Sequence, residues 1–137
     1  MARVAKHPWY FETDSAREAL AGRKLLEQYL SKQCGGDIFA ASIVYGELLS
    51  NVIKHAPNGG VRVWLERKGD EYELCINDAG NGFTKRDLER MPDENSESGR
   101  GLYIIRRMCR RLWFRKLKND GFMVRARLPL SCPRPPE

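Results

Sequence analysis

Two alternating runs on either side of Gly69-Asp70 constrain this chain most. Val61, Val63 and Leu65 alternate with Arg62, Trp64 and Glu66, and beyond the turn Tyr72, Leu74 and Ile76 repeat the pattern. Successive side chains of a strand point to opposite faces, so this period of two predicts a half-buried β-hairpin. Its apolar face must be covered by something else in the chain.

The flanking segments supply the cover. Trp9, Tyr10 and Phe11 read as a short strand ending at Thr13-Asp14-Ser15. Ser15 and Glu18 have capping-box spacing, and Ala16, Leu20, Leu26 and Leu30 follow a rough helical period that Gly35-Gly36 stops. Asp37 is placed to cap a second helix, with Ala41, Val44, Leu48 and Val52 on one face and Pro57-Asn58-Gly59-Gly60 at its end. After the hairpin, Thr84 and Asp87 suggest a short helix through Met91, followed by a polar loop over residues 92–98. A helix over residues 102–111 would place Leu102, Ile105, Met108 and Leu112 on one side and Arg106, Arg107, Arg110 and Arg111 on the other. Two strands around Asn119-Asp120-Gly121 complete the pattern. The expected architecture is α+β, a two-layer α/β sandwich whose mixed, mostly antiparallel sheet carries helices on one face. One domain over residues 1–130 and a disordered tail over 131–137 are expected.

Composition narrows the function classes. With 137 residues and 42% apolar content the chain can build one core. No apolar run approaches the ~20 residues of a membrane span, and the first residues lack a signal-peptide core, so a cytoplasmic protein without membrane contact is expected. Cys34, Cys75, Cys109 and Cys132 show no paired spacing and read as reduced thiols, with Cys132 the most exposed. The net charge of +6 raises nucleic acid as a partner, but ten basic residues and one acid lie between Arg100 and Arg127, and the remainder is net −3. Direct nucleic-acid binding is therefore not expected. The stretch from Arg106 to Arg115 reads as a solvated face or a dock for an acidic protein.

Three short elements carry possible chemistry. Glu47, Asn51 and His55 recur every fourth residue of the second helix, with Lys54 beside them. Such a stripe is also what a solvated helix face looks like. It equally offers Mg²⁺ a neutral oxygen and sets a carboxylate one turn away as a base. Asp78-Ala79-Gly80-Asn81-Gly82 follows a strand, where the glycines leave room for a flat ligand. Gly99-Arg100-Gly101-Leu102 opens a helix, whose N–H groups favour phosphates. Gly46 inside a helix costs ~1 kcal/mol relative to Ala, which the close approach of a ligand or a neighbouring helix would explain.

E-x3-N-x2-K-H on a helix, then D-x-G-x-G after a hairpin, then G-x-G-L before a helix resembles the GHKL ATP-binding superfamily over residues 37–130. The resemblance implies a Bergerat-type fold with ATP and Mg²⁺ as cofactors. By the same resemblance, Glu47 would be the general base and Asn51 the Mg²⁺ ligand. Lys54 and His55 would line the phosphate and ribose side, and Asp78 would read adenine, with Gly80 and Gly82 making room. Gly99, Arg100, Gly101 and Leu102 would form the second glycine box. The lid would be short, the 16 residues from Phe83 to Ser98.

Within the superfamily, Glu47 stands where histidine kinases usually carry Asn or His, and no transducer domain of the gyrase type has chain left to form it. The sequence is similar to stand-alone anti-sigma factors that act as protein-serine kinases. That branch implies phosphoryl transfer to a serine or threonine of an anti-sigma-factor antagonist, sequestration of a sigma factor, and a possible homodimer. A module that holds nucleotide and acts by sequestration alone is the alternative.

Overall fold

A computed structural model describes residues 9–55, 59–78, 100–116 and 122–132. In chain order these form β1 (Tyr10–Thr13), α1 (Ala16–Leu20), α2 (Gly22–Gln33), β2 (Gly35–Gly36), α3 (Ile38–His55), β3 (Val61–Lys68), β4 (Glu71–Asp78), α4 (Arg100–Met108), β5 (Arg111–Lys116), β6 (Phe122–Arg127) and β7 (Leu130–Ser131). The main sheet runs β1-β3-β4-β6-β5, and every pairing among the described strands is antiparallel. The expected short helix near Thr84, the polar loop and the Asn119-Asp120-Gly121 turn lie outside the described residues.

The hairpin forms as its alternation requires. Gly69 supplies the left-handed φ of +64° at the turn, and Val63 pairs with Ile76 and Leu65 with Leu74. These side chains are fully buried beneath the helices, together with Val61, Tyr72, Val124 and Ala126. Leu26, Leu30, Ala41, Val44, Leu48 and Val52 meet them from α2 and α3. This is the two-layer α+β sandwich, with helices on one face of the sheet.

Helix boundaries follow local chemistry. Asp37 Oδ1 accepts from the Ala40 N–H at 2.9 Å, which satisfies one of the otherwise unpaired donors at the start of α3. Ser15 caps α1 through the Arg17 N–H at 3.2 Å. The first expected helix divides at Ala21, because the buried Tyr45 hydroxyl donates to the Ala19 carbonyl and takes over an acceptor of the helical ladder. The last expected helix ends at Met108, three residues early. Arg111 and Leu112 belong to β5, and the backbone N–H of Arg110 donates to Arg127 O at 2.8 Å, turning the chain into the sheet.

The cysteine expectation fails for two of the four residues. Cys34, at the end of α2, and Cys132, just after β7, form a disulfide across a sequence separation of 98. Cys132 is completely buried, and its carbonyl accepts from Arg67. Gly35 and Gly36, expected only to stop a helix, pair with Ser131 and Leu130. Ser131 and Cys132, expected in the tail, are thus held by a strand pairing and a disulfide, and residues 133–137 lie outside the described part. Cys75 and Cys109 are free and buried. Burial pushes the Cys109 thiol up to about 11 and the Cys75 thiol higher still, so both stay protonated at neutral pH. Among the described residues no helix is long and apolar enough to cross a membrane.

Candidate functional site

The α3 helix carries the centre of the site. Its apolar residues face the sheet, and Glu47 and Asn51 lie half-buried at the margin of that face, one turn apart. Asn51 Nδ2 donates to the Glu47 backbone carbonyl at 3.1 Å. The amide nitrogen is thereby committed to the helix, and Oδ1 is the Asn51 atom left to accept a ligand. A neutral oxygen held this way suits Mg²⁺, which keeps most of its waters and takes few protein ligands.

Glu47 also borders a small cavity of about 160 Å³ between α1, α2 and α3, shared with Leu20, Arg23, Ile43, Gly46 and Ser50. Arg23 is the residue that sequence reading missed. Its Nε donates to the buried Ser42 hydroxyl at 2.6 Å, and Ser42 in turn donates to Glu27. The guanidinium then lies across Gly46, where an added Cβ would stand 3.2 Å from Arg23 Nη1. The glycine inside α3 thus makes room for an arginine of the neighbouring helix. Gly46 was the one sequence signal of this contact, although it did not reveal which residue approached.

Asp78 closes β4 on the helix-facing side and is 4% exposed. It sits opposite Val61 and Phe122 in the ladder, and among the described residues no donor reaches its buried Oδ2 atom. Helix α3 packs against both β4 and α4, so the elements bearing Glu47, Asn51, Asp78 and the start of α4 adjoin one another. Arg100 opens α4, which places Gly101 and Leu102 in its first turn. Lys54 and His55 occupy the last turn of α3. The described part does not include the side chains of Lys54, His55, Arg100 and Leu102, nor any of Gly80, Gly82 and Gly99.

Comparisons with known proteins identify the family and the fold. Residues 36–131 match the family model "Histidine kinase-, DNA gyrase B-, and HSP90-like ATPase". The sensor protein kinase GraS of Staphylococcus aureus strain Newman is 28% identical over 79 residues, covering 50% of this chain and 23% of that protein. The chain thus spans under a quarter of the length of that relative. Among solved structures, the catalytic domain of histidine kinase ThkA superposes with a TM-score of 0.60 at 17% identity, covering 88% of this chain and 95% of that one. The Acinetobacter baumannii histidine kinase AdeS gives a TM-score of 0.54 at 18% identity, over 88% and 67% of the two chains. At these identities the structural likeness establishes the fold alone, a two-layer α/β sandwich shared with those domains.

Proposed function

The chain belongs to the family of histidine kinase-, DNA gyrase B- and HSP90-like ATPases, and from that premise we propose that it is an ATP-dependent protein kinase whose acceptor side chain comes from a partner protein. The observation that carries this reading is the Glu47–Asn51 pair, one turn apart on α3, with the Asn51 nitrogen spent on the Glu47 carbonyl. Asn51 Oδ1 would hold Mg²⁺, which would supply charge neutralisation at the γ-phosphoryl group. Asp78 and the start of α4 would hold the adenine and phosphate ends. Glu47 would take the proton of the acceptor hydroxyl as its oxygen attacks the γ-phosphorus, while the bond from that phosphorus to the bridging oxygen breaks and ADP leaves.

A carboxylate base suits a hydroxyl acceptor, since serine and threonine must lose a proton on attack. The finer reading is therefore a serine or threonine of an anti-sigma-factor antagonist, with a sigma factor as the sequestered partner. The relatives and solved structures, being sensor and histidine kinases, favour a second reading in which the acceptor is a histidine.

One experiment separates these readings. The protein is incubated with γ-labelled ATP, Mg²⁺ and an antagonist-type domain, and the label is tested for acid stability. Acid-stable label supports serine or threonine, acid-labile label moves the reading to histidine, and no transfer with intact ATP binding leaves sequestration. Glu47→Ala is expected to keep ATP binding and lose transfer by about 10²–10⁴-fold, whereas Asn51→Ala loses Mg-ATP binding. Normal transfer by Glu47→Ala would show that another group is the base.

A further inference from the structure

The helix-free face of the sheet ends at β5, an edge strand that among the described residues pairs with β6 alone. Leu112 and Phe114 pack against the core, so the alternation of the strand turns Arg111, Trp113 and Arg115 to the open face. Arg111 and Arg115 are exposed on either side of the half-buried indole. The Trp113 ring is held in place: the Arg111 guanidinium lies 4.6 Å from its centroid and that of Arg127 5.4 Å. The same ring separates two shallow depressions. One, of about 560 Å³, is lined by Lys68, Arg115, Met123, Arg125 and Arg127 among others. The second, of about 410 Å³, lies toward Arg106, Arg110 and Arg111.

We propose that β5 is the docking edge for an extended acidic segment of a partner protein, which joins the sheet as a further strand. The charge pattern selects that occupant. Carboxylates two places to either side of an apolar residue would meet Arg111 and Arg115 while the apolar residue covers Trp113. A second copy of β5 paired antiparallel about Trp113 would set Arg111 against Arg115, like charge against like, so this edge disfavours its own duplicate. Nucleic acid fits less well. Arg125 is already bound to Glu66 and Glu73, and Arg127 to Glu71 and Glu73, which leaves the two cations flanking Trp113, Arg111 and Arg115, as a short pattern rather than a continuous phosphate track. A strand also uses the edge N–H and C=O groups of β5, which among the described strands pairs with β6 alone, and a phosphate backbone leaves such groups largely unmatched. This inference is independent of the nucleotide reading, because it concerns the opposite side of the sheet from α3.

The test uses the whole chain and two synthetic peptides of equal length: a Glu–Val peptide patterned Thr-Glu-Thr-Val-Thr-Glu-Thr, which sets a carboxylate two residues to either side of the valine on one face, and the same peptide with Lys in place of Glu. Binding is followed by fluorescence anisotropy and located by amide hydrogen exchange. The Glu–Val peptide is expected to bind, to slow exchange across residues 111–116, and to weaken about tenfold or more in the Arg111→Glu/Arg115→Glu variant. A Glu–Val peptide with a central proline should lose binding, because proline cannot donate to the ladder. Undiminished binding of the proline peptide, or no protection at β5 in the unaltered chain, would overturn strand addition. Tighter binding of a DNA duplex with protection of the same amides would overturn the acidic-protein assignment. Exchange on the unaltered chain keeps the test decisive even if the double variant does not fold.

Discussion

The two faces of the main sheet are built from the same strands and solve opposite problems. Toward the helices, Val61, Val63, Leu65, Leu74, Ile76 and Ala126 are almost wholly buried and apolar. Toward the open side, Trp64, Glu66, Glu73, Cys75, Arg125, Arg127 and Trp113 occupy the alternate positions. The first face gains stability from area removed from water, which is non-directional and tolerant of exchange among apolar residues. The second, among the described residues, has no covering layer and closes over itself. Glu73 is only 2% exposed because Arg125 Nη1 reaches one of its oxygens at 3.0 Å and Arg127 Nη2 the other at 2.6 Å. Glu66 takes Arg125 as well and the Trp64 indole N–H at 2.9 Å. One face therefore fixes where α3 stands, and the other fixes a pattern of charge on the outside.

The largest expected effect tests the apolar face. Leu74→Ala removes a fully buried side chain from the middle of the central strand and should cost about 2–5 kcal/mol in a denaturant titration. A cost below about 1 kcal/mol would mean that the core relaxes around the gap and that this face specifies less than its burial suggests. The open face comes next. Glu73→Gln keeps the shape and removes the charge between Arg125 and Arg127, which keep Glu66 and Glu71 as partners. About 2 kcal/mol is expected, less than for a fully isolated buried pair. A stabilised Glu73→Gln protein would show that desolvation of the carboxylate outweighs its pairing.

Legibility in the sequence divides along the same line. Apolar parity was readable from Val61 to Ile76, because period two needs only the order of residues, and the α3 cap at Asp37 needs only three neighbours. The open-face network was not readable, since it joins Glu66 and Glu73 to Arg125 and Arg127 across more than fifty residues of chain, and pairing of β4 with β6 rather than another strand sets it. The Cys34–Cys132 disulfide escaped for the same reason: nothing local links those two positions. Of the candidate site, Glu47, Asn51 and Asp78 were legible as candidates because two of them repeat on a helix and the third ends a strand. Arg23 could not, since its approach to Gly46 depends on how α2 crosses α3.

The network also has a pH signature. Burial alone would raise the Glu66 carboxyl, but the Trp64 N–H and Arg125 outweigh it and hold the group down at about 2 instead of 4.5. Glu73 is lowered in the same way, its burial outweighed by Arg127 and Arg125. A carboxylate held below its unfolded value stabilises the fold above that value and loses the contribution as pH falls through the folded one. Stability should therefore decline between pH 4.5 and about 2. In Glu66→Gln this decline should be shallower, with Glu73 supplying the remainder. An unchanged slope would place the acid sensitivity elsewhere.

The smallest effect is the sharpest discriminator between the faces. Trp64→Phe keeps a six-membered aromatic ring on the open side and deletes the indole N–H that meets Glu66 Oε2, together with the carbons of the five-membered ring. The loss of one hydrogen bond to a charged acceptor at a half-buried site should cost about 1 kcal/mol at neutral pH. It should also raise the Glu66 carboxyl, so that the acid-induced loss begins at higher pH. Packing and polarity predict different pairings of these two results. If Trp64 acts through its donor, the stability cost and the acid shift appear together, and both vanish in a Glu66→Gln background. If it acts as an apolar cover, the cost persists in that background, and the open face would then rely on burial much as the helix-facing side does.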